Sequence, residues 1–457
     1  MGKHTVAVSR IAMAVALSFG GLALAASQSA AERTCFADTK ATDGNRQRID
    51  ACTALLRNET SDEGRVQILI ARSDSYYRSG SPLRALADLQ QIETIDPSRI
   101  EISFGRAFVF SAMGYYSRAL PEIERAMRGG IHSAEAYSVR GTIYAYQGRY
   151  GDAIQDLELS ITSDPTIGTS YAVRGFANLE IGEIERAIKD LDEAIRLEPK
   201  NDYAYFYRGC AHLALDQYKD ALADFTQAHR LMPDQPDATD YIDEVTAMMT
   251  AAETAPASVP APLDPQAVVP SKAVGSSHNC DAYYPFLSNW TDETGDVLIH
   301  YDVAADGVIS NVGIDRSSGF DRLDRASVIC VSRHWRSTPA TRGGVPFPTP
   351  RHLALIRYMN HNTGALSDVH RGETFEGLGE YERAIAAFDT AIAEDPHGAD
   401  AYFHRGMTHY LQQDYSGAIR DFDSALRLKP DFDEAVAGRE LSSHAALRAA
   451  PSGGKGI

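Results

Sequence analysis

Beyond its first 25 residues this chain has no apolar run long enough to cross a bilayer, which takes roughly 20 residues of helix. Positive charge is also in short supply: Lys and Arg total 44 against 62 Asp and Glu, a net charge of −18. That balance argues against a nucleic-acid or anionic-lipid surface as the main partner. Cysteine is sparse, with five residues and no Cys-x-x-Cys spacing, so neither a redox-active pair nor a structural zinc site has local support. Phosphate loops, the nucleophile elbow, paired metal histidines on a helix and calcium loops are all missing. Gly453-Gly454-Lys455-Gly456 follows no strand and is no phosphate loop. His404 and His409 are five apart, off one helical face, which disfavours a shared metal. Ser317-Ser318-Gly319 has no His or Asp placed by the sequence to activate a serine, and a turn is the better account. Together these absences predict a chain that is not an enzyme, with no cofactor, no metal and no small-molecule substrate.

What is present begins with an export signal. Lys3 and Arg10 precede an apolar run rich in small residues from Ile11 to Ala25, the layout of a secretory leader over residues 1–25. Cleavage is expected near Ala25, or alternatively near Ala31, which would release a periplasmic protein. The competing reading is an uncleaved inner-membrane anchor, for which a run of 15 residues is short. In an exported chain the cysteines suggest disulfides. Cys35 is expected to pair with Cys52 on the two helices of one hairpin, and Cys280 with Cys330 at the entry and helix of a central module, leaving Cys210 over.

Ala51, Ala85, Ala119, Ala153, Ala187 and Ala221 recur every 34 residues, the period of the tetratricopeptide repeat. Gly141, Gly175 and Gly209 keep the same phase in the first helix of each pair, as do Leu157, Leu191 and Phe225 in the second, with Pro165, Pro199 and Pro233 after it. Small residues let the two helices approach closely, and the proline ends the pair. A first array is therefore expected over residues 33–252, about six repeats with the earliest degenerate, closed by a capping helix. A Pro-rich linker without a core follows over 253–275. The period returns in a second array over 365–450, with Gly372 and Gly406, Ala384 and Ala418, Phe388 and Phe422 each 34 apart, plus a capping helix. Tetratricopeptide arrays bind peptides along a groove lined by the first helix of each pair. By repeat position that groove would contain Tyr146, Phe176, Tyr203, Phe206 and Leu213, and in the second array Phe403, Met407 and Tyr410. The alternative for each is inter-repeat core.

Between the arrays, over 276–360, the pattern changes to period two. Val297, Ile299, Tyr301 and Val303 alternate, Asp306-Gly307 makes a turn, and Val308 to Asp315 alternates again. Asp321 to Trp335 carries Leu323, Ala326, Cys330 and His334 on one helical face, and Leu353 to Tyr358 is a final strand. With Tyr284-Pro285, Gly295, Leu323-Asp324, Pro339-Ala340 and Gly344-Val345-Pro346 in order, this stretch resembles the C-terminal domain of TonB-type energy transducers. The fold expected for the whole chain is thus mainly α, a two-array solenoid interrupted by a small α+β module. The resemblance implies that the last strand takes a partner's segment by strand addition, through Leu353, Leu355 and the flanking Arg357, with Arg351 also suited to an acidic partner. Expected partners are proteins or peptides of the cell envelope, outer-membrane receptors among them. Two functions follow: a periplasmic interaction scaffold, or a working energy transducer. Transducers of that family use a long Pro-rich spacer and usually end in the module, whereas here about 100 residues follow it.

Overall fold

The computed structural model describes residues 29–37, 44–215, 217–233, 238–239, 241–243, 245–246, 249, 268–269, 272–273, 294–333, 335–342, 345–358 and 368–449. The expected leader, Cys280, His334 and the glycine-rich tail lie outside them.

Twelve helices in antiparallel pairs build the first array: α1 (Ala30–Cys35) with α2 (Asn45–Leu56), α3 (Asp62–Arg78) with α4 (Pro82–Ile95), α5 (Glu101–Ala112) with α6 (Tyr116–Arg128), α7 (Ala134–Tyr146) with α8 (Tyr150–Ser163), α9 (Gly168–Glu180) with α10 (Ile184–Leu197), and α11 (Asp202–Leu213) with α12 (Tyr218–Leu231). Caps start several of them: Ser61, Ser133 and Asn201 each accept from the backbone N–H three residues on. Four of the first helices, α3, α5, α7 and α9, then end the same way. Gly80, Gly114, Gly148 and Gly182 stand at φ of 76–82°, a left-handed conformation that glycine enters without penalty. The next residue's N–H reaches back five positions to a helix carbonyl, as Arg149 does to Tyr144 at 2.8 Å, which closes the end in a Schellman cap and turns the chain into the second helix.

The 34-residue landmarks pack where the pattern requires. A Cβ on Gly175 would stand 2.7 Å from Leu191 Cγ and 3.2 Å from the Ala187 carbonyl, so only glycine lets α9 and α10 meet this closely. Arginine and aspartate add a second tie. Arg72–Asp88, Arg140–Asp156, Arg174–Asp190, Arg208–Asp224 and Arg405–Asp421 bridge the two helices of five repeats at 2.6–2.7 Å, their carboxylates buried or nearly so. The described residues 238–249 are helical, and Ala238 and Val245 are buried against the last pair as a cap.

At the front of the array Cys35 and Cys52 form the expected disulfide, Cα atoms 4.9 Å apart, tying α1 to α2. Cys52→Ser is expected to lower stability by about 3 kcal/mol through the freed unfolded chain, and the shift in urea midpoint measures it. Cys330 is also disulfide-bonded, while Cys280, its expected partner, lies outside the described residues. Cys210 is half-buried against the array core.

The module contains β1 (Val268–Val269), β2 (Lys272–Ala273), β3 (Gly295–Val303), β4 (Ile309–Arg316), α13 (Asp321–Arg333), β5 (Ser337–Thr338), β6 (Ala340–Arg342), β7 (Val345–Phe347) and β8 (Thr349–Tyr358). Its main sheet is antiparallel in the order β4-β3-β8. Helix α13 covers one face, and Val297, Ile299, Val303, Leu323, Cys330, Val331 and Trp335 form the core between them. The end of the expected linker is part of the module, since β1 pairs with β6 and β2 with β5.

The second array comprises α14 (Asp368–Leu378) with α15 (Tyr381–Glu394), α16 (Ala399–Leu411) with α17 (Tyr415–Leu428), and the cap α18 (Asp433–Ala449). It folds back onto the first. Ser117 and Tyr381 hydroxyls meet at 3.2 Å, Arg84 pairs with Asp433 at 3.6 Å, and Arg448 reaches Glu93 at 3.4 Å. One apolar cluster includes Phe104 and Phe108 of the first array and Phe403 and Phe422 of the second.

Beneath that contact lies a buried charged cluster. His404 Nε2 is 2.8 Å from Glu373 and its Nδ1 3.9 Å from Glu376, whose other oxygen accepts from Thr408 at 2.8 Å. Burial opposes charge on His404, yet the two carboxylates raise its pKa from 6.5 to about 10. Glu376 is itself pushed up, first by burial. A histidine whose folded pKa lies above its unfolded value contributes stability below about pH 6.5 that is lost as pH climbs through about 10. The raised Glu376 acts in the same direction. Melting temperature should therefore fall between pH 7 and 10, and His404→Gln should flatten that slope.

Candidate functional site

The residues expected to line a peptide groove are inside the array. Phe176 is 0% exposed, and Tyr146, Tyr203, Phe206 and Leu213 are buried with it. The reason is a stack of rings along the solenoid. Tyr116, Tyr146, Phe176 and Tyr207 lie face to face with successive centroid distances of 4.9, 5.3 and 4.7 Å. Tyr203 and Phe206 pack against Tyr207 from the same helix. Burial lifts the Tyr146 phenol to about 12, so it stays neutral. In the second array Phe403 and Met407 are buried, Phe403 against Phe422 and Phe432, while Tyr410 is partly buried beside Tyr415. These positions therefore hold neighbouring repeats together. Tyr116 and Tyr207 belong to the stack as well, and their 30- or 31-residue spacing from the other rings was the available signal.

The expected strand site is placed differently. β8 lies at one edge of the β4-β3-β8 sheet, paired on one side to β3 from Gly295↔Tyr358 to Val303↔Thr349. Its other side has no strand partner among the described residues, and half of the backbone groups of an edge strand point away from the sheet. Ile356 is buried toward α13, whereas Leu353 and Leu355 stand on the opposite face, 57% and 47% exposed. Leu298 on β3 sits beside Leu355 in register. The Arg357 side chain lies outside what is described.

Arg351 is committed within the module. Its guanidinium pairs with Asp315 at 2.9 Å, and its backbone N–H donates to Asp302 at 2.7 Å with φ at 50°. His300 meets the same Asp315 at 2.7 Å, lying across Gly313, where a Cβ would stand 2.6 Å from the imidazole. The outer face of the sheet thus carries an ionic network of Arg351, Asp315 and His300 beside two exposed leucines. Ser317-Ser318-Gly319 is a turn, as its sequence suggested: Ser318 donates through both its N–H and its hydroxyl to Asp324 at 2.8 Å, holding the start of α13.

Models of the tetratricopeptide repeat match residues 134–167, 168–201, 202–235 and 371–431, and the model of the Gram-negative bacterial TonB protein C-terminal matches 281–356. This is a tetratricopeptide-repeat protein with a TonB-type domain between its arrays. The chain is 41% identical over 74 residues to protein TonB2 of Pseudomonas aeruginosa, 16% of this chain and 27% of that protein. The chain thus spans about a quarter of its curated relative. Among solved structures, the first repeat domain of Spaghetti (RPAP3) bound to an HSP90 peptide is 26% identical, covering 26% of this chain and 99% of that one, with a TM-score of 0.25. The Arabidopsis OM64 repeat domain is 27% identical, covering 25% and 96%, with a TM-score of 0.25. YrrB, a repeat protein with an unusual peptide-binding site, is 17% identical, covering 42% and 97%, with a TM-score of 0.31. The repeats suggest a protein–protein interaction role, and tetratricopeptide repeats and TonB-type domains are typically non-catalytic. Among the described residues no helix is long and apolar enough to cross a membrane.

Proposed function

We propose that this protein is a periplasmic scaffold that holds an extended segment of a cell-envelope protein by strand addition at β8, with the repeat arrays as a rigid platform and a second protein-binding surface. The observation that carries it is the edge position of β8, whose outward backbone groups can continue the sheet while Leu353 and Leu355 contact alternate side chains of the incoming strand. The Arg351 guanidinium already pairs with Asp315, which favours affinity from backbone pairing and apolar contact over acidic residues in the partner. The burial of Tyr146, Phe176, Tyr203, Phe206 and Leu213 supports assigning the arrays' contacts to other side chains. The likeness of residues 281–356 to TonB domains supports a second reading, an energy transducer coupling an inner-membrane motor to outer-membrane receptors.

Adjacent strand residues point their N–H groups to opposite sides, so Leu353→Pro and Ala354→Pro form a paired test. One removes an outward donor and should abolish partner capture from cross-linked envelope with the helical circular dichroism intact. The other breaks the β3 ladder and should destabilise the module. Undiminished capture by both would move the binding surface to the arrays. Joint recovery of outer-membrane receptors and an inner-membrane motor would favour the transducer.

A further inference from the structure

A second edge of the TonB-type domain is occupied by the chain itself. Val268 and Val269 of β1 pair with Arg342 and Thr341, while Lys272 and Ala273 of β2 pair with Thr338 and Ser337. Each step forward along the linker is one step back along the domain in both ladders, so the two belong to one antiparallel register with a break in the middle. The break falls at Pro339, which has no N–H to donate, and the linker sequence carries Pro270 at the matching place. The opposite sides of β5 and β6 are taken by the domain itself. Ser337 donates to the Gly307 carbonyl at 3.2 Å, in a turn where Gly307 has φ of 87° and a Cβ would overlap the Ser337 carbonyl. β6 pairs with β7 from Ala340↔Phe347 to Arg342↔Val345. The linker strands therefore fill the outer side of the 337–342 edge.

These strands are two residues long. Segments held by a few backbone bonds open at low free energy. An edge satisfied by backbone pairing accepts any chain of suitable conformation. We propose that the 337–342 edge is a strand-accepting surface distinct from β8, covered at rest by Val268–Val269 and Lys272–Ala273. It would be taken over by an extended segment of a partner protein that presents the same pattern, two β-branched apolar residues followed by a basic and a small one. Displacement would also free the linker between the first array and the domain, lengthening that tether by about 20 Å at most for six residues.

The probe is a fluorescent peptide with the sequence of residues 265–275, titrated into three forms of the full chain. One is unaltered, one carries Val268→Ser, Val269→Ser, Lys272→Gly and Ala273→Gly, and one carries Val269→Cys with Thr341→Cys, oxidised to lock the register. The cis strand competes at the effective concentration of its tether, so the weakened chain should bind the peptide about ten-fold or more tighter than the unaltered chain. The locked chain should not bind it. Hydrogen exchange should show a faster amide at whichever of Thr341 and Arg342 directs its N–H toward β1 in the weakened chain, with β3 still protected as proof of folding. Equal affinity for all three forms would overturn the proposal, as would no binding by a weakened chain whose β3 remains protected. Binding that survives the lock would belong to β8, so failure here leaves the reading of that strand intact.

Discussion

Phe176→Ala should lower the unfolding free energy of the first array by about 3–5 kcal/mol, the usual range for deleting a fully buried aromatic ring. Phe176 is 0% exposed and has rings on both faces, Tyr146 at 5.3 Å and Tyr207 at 4.7 Å, with Tyr150 edge-on at 6.0 Å. Removing it leaves a gap at the centre of a stack that crosses several repeats, so the loss should appear as a lower urea midpoint of the whole array. Partner capture measured well below that midpoint should hardly change. A variant of near-normal stability with weakened capture would instead make Phe176 a ligand contact.

Asp190→Ala should cost a similar amount, about 3–5 kcal/mol, because it strands a desolvated guanidinium. Asp190 accepts from Arg174 at 2.6 and 2.8 Å and from Asn178 at 3.1 Å. Burial works against the Arg174 charge and Asp190 restores it. Replacing both partners with apolar residues of similar size, as in Arg174→Met with Asp190→Leu, should recover most of the loss, since a buried pair contributes little over a packed apolar one. Chemical denaturation of the single and double variants tests this. A loss below about 1 kcal/mol for Asp190→Ala would place the bridge among solvent-screened pairs.

The parts of the fold governed by repetition were legible in the sequence. A period of 34 residues requires each helical pair to meet its neighbours in one way, so Gly175 over Leu191 and the closely packed Ala187 could be read from spacing alone. The Schellman glycines Gly80, Gly114, Gly148 and Gly182 carry the same period. In the second array Gly379 holds that position at φ of 80° and Gln413 at 67°. The module's strands and helix were legible because alternation and a helical face depend only on local sequence.

What was not legible depends on which surfaces meet. An aromatic at a first-helix position can face the groove or the next repeat, and Phe176 and Tyr146 are decided by a ring stack spanning residues far apart in the chain. Arg351 looked available because Asp302 and Asp315 are distant in sequence. The linker's four paired residues gave no pattern, because a two-residue strand is shorter than any period. The return of the second array onto α4, α5 and α6 rests on contacts such as Ser117 with Tyr381, which no repeat rule specifies.

Photo-crosslinking in living cells tests the central claim most directly. A photoreactive residue is placed at Leu353 or Leu355 of the edge strand, or at Leu159, which is 48% exposed on α8 of the first array. The account predicts discrete adducts to one or a few envelope proteins from positions 353 and 355, lost in whichever proline variant removes the outward donor, whatever position 159 captures. Adducts from the array with none from β8 would contradict it.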